Sequence, residues 1–348
     1  MFVALRDIRF AKGRFTLMGG VVALLTGLVM FLYGLTGGLA SDSSSALSGL
    51  PARAVVFGGS SVSFTDSAVD AGQRAAWQAA ADARPLGVSM TRLGAGGAAS
   101  AVSVVGVDPG LMPAPRSGRV PGPGEIAVGA KLAAKHHLHP GDRITLGPAQ
   151  LTVSGITPDR SWGHAPTVWT DEPTWERLGG GAQPSALALV GPADTGALDA
   201  AWHTKTVGLG AAKAGIDGYS AEQGSLTLIQ GFLFAISALV AGAFFTVWTV
   251  QRKADIAVLK AIGASSAYLV RDALGQALVL LLAGGALGAL AGTLGGAALR
   301  AAGTPFTLDV ATVAVPLAAM VGLGLAGAAL AVRRIVVVDP LTALGANR

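Results

Sequence analysis

The sequence predicts a membrane protein of four transmembrane α-helices in a 1 + 3 arrangement, with a large α+β extracytoplasmic domain inserted between the first and second helices. Three observations predict it. Residues 15–40, 224–250, 273–299 and 310–332 contain no Lys, Arg, Asp or Glu. At about 1.5 Å rise per residue, each can cross a hydrocarbon core about 30 Å thick. The stretch 41–223 is polar and mixes strand-like and helix-like runs.

The third observation is charge placement. Arg6, Arg9, Lys12 and Arg14 precede the first span, Arg252, Lys253, Lys260 and Arg271 separate the second from the third, and Arg333, Arg334 and Arg348 follow the fourth. Four crossings put all three groups on one side, which the positive-inside rule makes the cytoplasm. The expected location is the plasma membrane, with both termini cytoplasmic. Residues 41–222 carry 13 Lys/Arg against 15 Asp/Glu. The net charge of +5 is therefore a topology signal, and a nucleic-acid partner is excluded as its explanation. The chain has no Cys, so the inserted domain must be held by its own core, for which about 180 residues suffice.

Residues 1–14 read as a basic cytoplasmic segment with a weak apolar face at Phe2, Leu5 and Ile8. The apolar run at 15–40 is about 25 residues long, beyond the 7–15 of a signal-peptide core, and reads as a retained helix. Its Gly20, Gly27 and Gly34 recur every seven residues and offer a face for close helix approach. Ser41–Ser48 reads as a polar linker. In the inserted domain, 54–59, 101–107, 142–147, 150–156, 166–171 and 185–191 read as strands, and 125–128 as an extended or helical lead into 131–138. The runs 66–84 and 195–205 read as helices, and the Pro/Gly-rich 113–124 as a loop. The third span places Gly284, Gly288, Gly292 and Gly296 in i, i+4 steps.

Residues 251–272 form the expected cytoplasmic connection. A short helix there ends at Gly263, as a C′ glycine would end it, and Ser265 or Ser266 can cap a restart. Ile256, Leu259 and Ile262 make an apolar stripe flanked by Arg252, Asp255 and Lys260, which suits docking of a partner.

The run RKADIAVLKAIGA (252–264) resembles the coupling-helix signature of the MacB/FtsX-type ABC transporter permeases. The tail Arg333-Arg334 followed by Asp339-Pro340-Leu341-Thr342-Ala343-Leu344 resembles that family's terminal motif, and 118–156 resembles its periplasmic domain. Family members usually carry Glu where Asp255 stands. The opening LRDIRFAKGRF and the compact inserted domain are most similar to the haem-efflux (HrtB-type) and DevC-like permeases. The resemblance implies a homodimer of this chain working with two copies of a separate ABC ATPase, which binds the ATP. Residues 252–263, with Arg252, Asp255, Ile256, Leu259, Lys260, Ile262 and Gly263 in the contact, would dock on that ATPase. The chain itself shows no G-x-x-x-x-G-K-[ST] loop, and no catalytic residue, metal site or intrinsic cofactor is expected.

For a haem or other amphipathic substrate, Tyr33, Tyr219, Glu222 and Gln230 are the candidate groups. A phenolate or carboxylate can ligate ferric haem. The plainer readings are interfacial anchoring for Tyr33 and Tyr219 and an interhelical hydrogen bond for Gln230. Lys135-His136-His137-Leu138-His139 reads as a solvated helix end, and His164 and His203 as lone histidines. Two further functions stay open: transmitting ATPase motion to an extracytoplasmic partner such as a cell-wall hydrolase, and handling lipoprotein or peptide.

Overall fold

The structure, a computed structural model, describes residues 12–251, 258 and 262–336. The N-terminal segment 1–11, the tail motif at 339–344, and Arg252, Asp255, Ile256, Leu259 and Lys260 lie outside the described residues. The chain divides into two compact units, Leu39–Gly224 and the remainder.

The Leu39–Gly224 unit begins with the end of helix α1 (Lys12–Ser48). It continues through β1 (Ala54–Gly58), α2 (Ala71–Ala80), β2 (Ala83–Ala95), β3 (Ala98–Val107), β4 (Ser117–Gly118), β5 (Glu125–Gly129) and α3 (Ala130–His136). Then come β6 (Arg143–Leu146), β7 (Ala149–Thr157), β8 (Ser161–Trp162), β9 (Ala165–Thr170), α4 (Glu172–Trp175), β10 (Ala186–Leu189), α5 (Thr195–Trp202), β11 (Thr204–Gly208) and α6 (Leu209–Ala212).

The strands run in the order β11-β1-β10-β2-β3-β9-β5-β7-β4, and β6 pairs with both β2 and β7. That double pairing closes β2, β3, β9, β5, β7 and β6 into a ring, with β11, β1 and β10 as an open wing. Alternation along each strand sorts side chains onto two faces. Leu93, Val104, Ile126, Ile144, Val153 and Val168, one from each ring strand, share one buried cluster, which α3 joins through Leu132 and Ala133. Val105, Ala127 and Trp169, offset by one residue, belong to a second cluster with Val55 and Phe57 of the wing. Val56, Leu187 and Leu189 form a third, covered by Trp77 of α2.

Three expectations need correction. Residues 41–48 are not a linker; they are the last turns of α1. Ala46 and Leu47 are buried in the second cluster, and Ser44 returns its hydroxyl to the Ala40 carbonyl at 2.7 Å, so the polar residues do not break the helix. The helix expected over 66–84 is shorter. It starts after Asp70, whose carboxylate accepts from Gln73 N–H in a reciprocal capping box, and Ala83 already belongs to β2. β2 itself was not expected, because Arg84, Pro85 and two glycines dilute its pattern. A two-residue turn at Gly96 (φ 59°) and Gly97 (φ 83°) folds it back on β3. Its Gly87 pairs with Gly106, and the Trp175 side chain fills the space that side chains there would take, its ring over Gly87 and its Cβ and Cγ over Gly106.

The second unit holds four helices long and apolar enough to span a membrane: α1, α7 (Tyr219–Gln251), α8 (Ser266–Ala301) and α9 (Val310–Val336). Gly284, Gly288 and Gly292 of α8 face α1, and Gly296 of the same series meets Phe306. A Cβ added at Gly284 would stand 2.9 Å from the Gly19 carbonyl oxygen, and one at Gly292 3.0 Å from Met30 Sδ. Gly27 and Gly34 of α1 lie against Gly288 and Phe306, whereas Gly20 of the same series meets nothing within 4 Å. The connection after α8 is tied to α1 by Thr307, whose N–H and hydroxyl both donate to the Gly34 carbonyl at 3.0 and 3.1 Å. Ser265 caps α8 by accepting from Tyr268 N–H.

On α7 the buried side chains are Ser237, Ala241, Phe245 and Thr249, one narrow stripe at i, i+4 spacing. Around it Leu228, Phe232, Ile236, Leu239 and Val247 are exposed.

Candidate functional site

Tyr219 and Glu222 belong to the Leu39–Gly224 unit, and Tyr33 and Gln230 to the helical unit. Gln230 Nε2 donates to Thr36 Oγ1 at 2.8 Å, and Thr36 in turn donates to the Leu32 carbonyl at 2.8 Å. The interhelical reading of Gln230 therefore has a partner, on α1 of the same chain. Tyr33 is half-buried.

Glu222 and Tyr219 lie in the first turn of α7, and both are engaged. Tyr219 is partly buried against the cluster that includes Ala46 and Leu47 of α1. Glu222 Oε2 stands 2.9 Å from Nε2 of His164, and the other ring nitrogen, Nδ1, is 3.3 Å from Asp42 Oδ2. His164 is thus not a lone histidine; it bridges the carboxylates of two helices. Sequence spacing hides this, because Asp42 and Glu222 stand 122 and 58 residues from it.

The bridge is built by a tight hairpin. β8 and β9 pair Trp162 with Ala165, leaving Gly163 (φ 56°) and His164 (φ 63°) as the two turn residues. Positive φ at both is the geometry of a type I′ turn, which suits Gly and which His tolerates better than most residues. The hairpin is anchored to α1. Gly163 N–H donates to the Ser43 carbonyl at 2.8 Å, Ser161 N–H to Ser45 Oγ at 2.8 Å, and Ser161 Oγ to Asp42 Oδ1 at 3.3 Å. Burial pushes the His164 imidazole down, but the hydrogen bonds and charges of Glu222 and Asp42 outweigh it, so its pKa lies above the ordinary value.

Beside the hairpin is a cavity of about 640 Å³, lined by Phe64, Met90, Trp162, Gly163, Gln183 and Asp217 among others. The remaining histidines have local roles. His136 Nε2 and Lys135 Nζ both meet Ser100 Oγ, at 2.9 and 3.0 Å. His137 (φ 53°) and His203 (φ 51°) are left-handed C-caps of α3 and α5.

In the predicted docking segment, Val258, Ile262 and Gly263 are described. Ile262 N–H donates to the Val258 carbonyl at 3.1 Å, and Gly263 has φ 97°, as a helix-ending glycine requires. Val258 is 60% and Ile262 76% exposed.

Four apolar helices with a strand-rich domain between the first and second define the architecture of an ABC transporter permease. The MacB-like periplasmic core domain matches residues 17–203, and the FtsX-like permease C-terminal domain matches 227–340. The chain belongs to the MacB/FtsX-type permease family and is a plasma-membrane protein. It is 25% identical over 352 residues to a putative hemin transport system permease protein HrtB of Staphylococcus epidermidis, covering 100% of both chains. It is 27% identical to the protein of that name in Staphylococcus haemolyticus and 27% identical to an uncharacterized ABC transporter permease of Mycobacterium tuberculosis, each over 99% of both chains. Among solved structures, it is similar to the periplasmic region of MacB from Actinobacillus actinomycetemcomitans. That match has a TM-score of 0.39 and 12% identity over 49% of this chain and 96% of that one.

Proposed function

We propose that this permease is the membrane subunit of an exporter for haem or another amphipathic small molecule, driven by a separate ATPase and acting from the outer leaflet. The observation that carries this reading is full-length similarity to permeases named for hemin transport. The working assembly is a homodimer with two ATPase copies. The exposed apolar side chains of α7 suit a partner chain or lipid, since its buried stripe is only one residue wide. The basic flanks support cytoplasmic termini and a Leu39–Gly224 unit on the outside.

Residues 252–263 dock on the ATPase, with Ile256, Leu259 and Ile262 as the apolar contact. The exposure of Ile262 and Val258 supports this. Glu222 and Gln230 must exchange their hydrogen-bond partners to take substrate, and Tyr219 must leave the cluster it packs against, whereas the half-buried Tyr33 has neither to give up. The test is a hemin titration of the purified protein in lipid nanodiscs, followed by the Soret band. A saturable shift that weakens in Tyr33→Phe and Glu222→Gln supports the reading. Identical spectra in wild type and the double variant reject these ligands.

A second reading, transmission of ATPase motion to an extracytoplasmic partner, is favoured by the hydrogen-bonded joint of α1, α7 and the β8–β9 hairpin. Co-purification of a cell-wall hydrolase with the assembly, and no hemin binding, would select it.

A further inference from the structure

We propose that His164 is a proton-controlled clasp. Charged, it holds the β8–β9 hairpin to the first turn of α7; neutral, it releases that turn while the hairpin stays on α1. The geometry allows both contacts at once only to the charged ring, and the neutral ring divides its single N–H between them. Both ring nitrogens face carboxylate oxygens, Nε2 at 2.9 Å from Glu222 and Nδ1 at 3.3 Å from Asp42. A neutral imidazole has one N–H and can serve only one of them, whereas the imidazolium donates to both. The ring is presented by a left-handed turn residue (φ 63°), so its position is set by the hairpin and not by a flexible loop.

The two sides of the clasp differ in what else holds them. On the α1 side, Gly163 N–H to Ser43 and Ser161 N–H to Ser45 do not titrate near neutrality, and they keep the hairpin in place whatever the state of His164. On the α7 side, the hairpin reaches Glu222 through the imidazole. Tyr219 packs against the buried cluster that holds Ala46 and Leu47 of α1, so deprotonation loosens the hairpin from Glu222 without parting the two helices.

The charged groups that act on the ring are Glu222 from α7 and Asp42 from α1. Arg160, two residues before Trp162, has its guanidinium against Gly49 of α1. The His164 side chain is 41% exposed, so solvent screens both pairs and the clasp is weak enough to open. Its sign is fixed by the direction of the shift. With the folded-state pKa above the ordinary 6.5, the contribution is complete below that value and fades as pH rises through the raised one.

The absence of Cys makes the test clean, since introduced cysteines are the only labelling sites. Two spin-label pairs are placed in the full-length protein in nanodiscs. Pro166→Cys with Ala221→Cys spans hairpin and α7; Pro166→Cys with Ser41→Cys spans hairpin and α1. Electron–electron distances are recorded from pH 5.5 to 8.5. The expected result is a 166–221 distribution that broadens as pH rises and a 166–41 distribution that does not. In His164→Asn, which keeps a residue suited to positive φ, the 166–221 pair should be broad at every pH. A pH-independent 166–221 distance in the wild type, an equal change in both pairs, or an unaltered pH response in His164→Asn overturns the proposal. The measurement needs neither substrate nor ATPase, so its failure leaves the exporter reading standing.

Discussion

Gly284 of α8 lies so close to Gly19 of α1 that a Cβ on Gly284 would stand 2.9 Å from the Gly19 carbonyl oxygen and equally near Val22 Cβ. Contact between these helices is backbone against backbone. It extends along α8 through Gly288, which faces the Ala23 carbonyl, and Gly292, against Gly27 and Met30. In a membrane such approach replaces the hydrophobic effect as the source of helix association, because lipid tails solvate apolar side chains equally well.

Gly288→Val should therefore destabilise the protein by about 1–3 kcal/mol, the usual cost of overpacking. Gly20→Ala, at a position with nothing within 4 Å, should not. Thermal unfolding in detergent, compared across the two variants, checks this. Equal melting temperatures would show that the α1–α8 contact is looser than described.

Trp175 is fully buried, and its ring occupies the space over Gly87 and Gly106 where two strands would otherwise carry side chains. Trp175→Ala leaves a cavity that glycine cannot fill. The expected loss is about 3–5 kcal/mol. Chemical denaturation followed by near-ultraviolet circular dichroism measures it; a loss under about 1 kcal/mol would mean the site collapses around the gap.

The His164 imidazole is raised by two carboxylates against the effect of burial. Removing one, as Asp42→Asn, should lower the pH at which the ring loses its proton. NMR titration of the imidazole Cε1–H signals, assigned with His164→Asn, reads the midpoint. No downward movement would show that Asp42 does not act on the ring.

The spans were legible because length and the absence of charge suffice to mark them, and the glycine series of α8 because small residues at i, i+4 have few other uses in a membrane helix. The strands at β1, β3, β7 and β10 were legible as short apolar runs, and β5 only as an extended or helical lead. β2 was not, since its pairing comes from β3, β10 and β6 and not from its own composition. The extension of α1 through Ser41–Ser48 was missed for a related reason. Six polar residues in eight suggest a linker, whereas burial of Ala46 and Leu47 in the inserted unit favours a continued helix. His164 was invisible because its partners are distant in sequence and its turn, Gly163-His164, lacks the Asn-Gly or Asp-Gly signature.

In the proposed function a separate ATPase moves this permease by gripping the 252–263 segment. The most direct measurement is retention of the ATPase by nanodisc-reconstituted permease carrying Leu259→Asp or Ile262→Asp, read by co-purification and by ATP turnover. The expected result is full membrane insertion with loss of most bound ATPase and of permease-dependent turnover. Normal ATPase retention and turnover in both variants would contradict it.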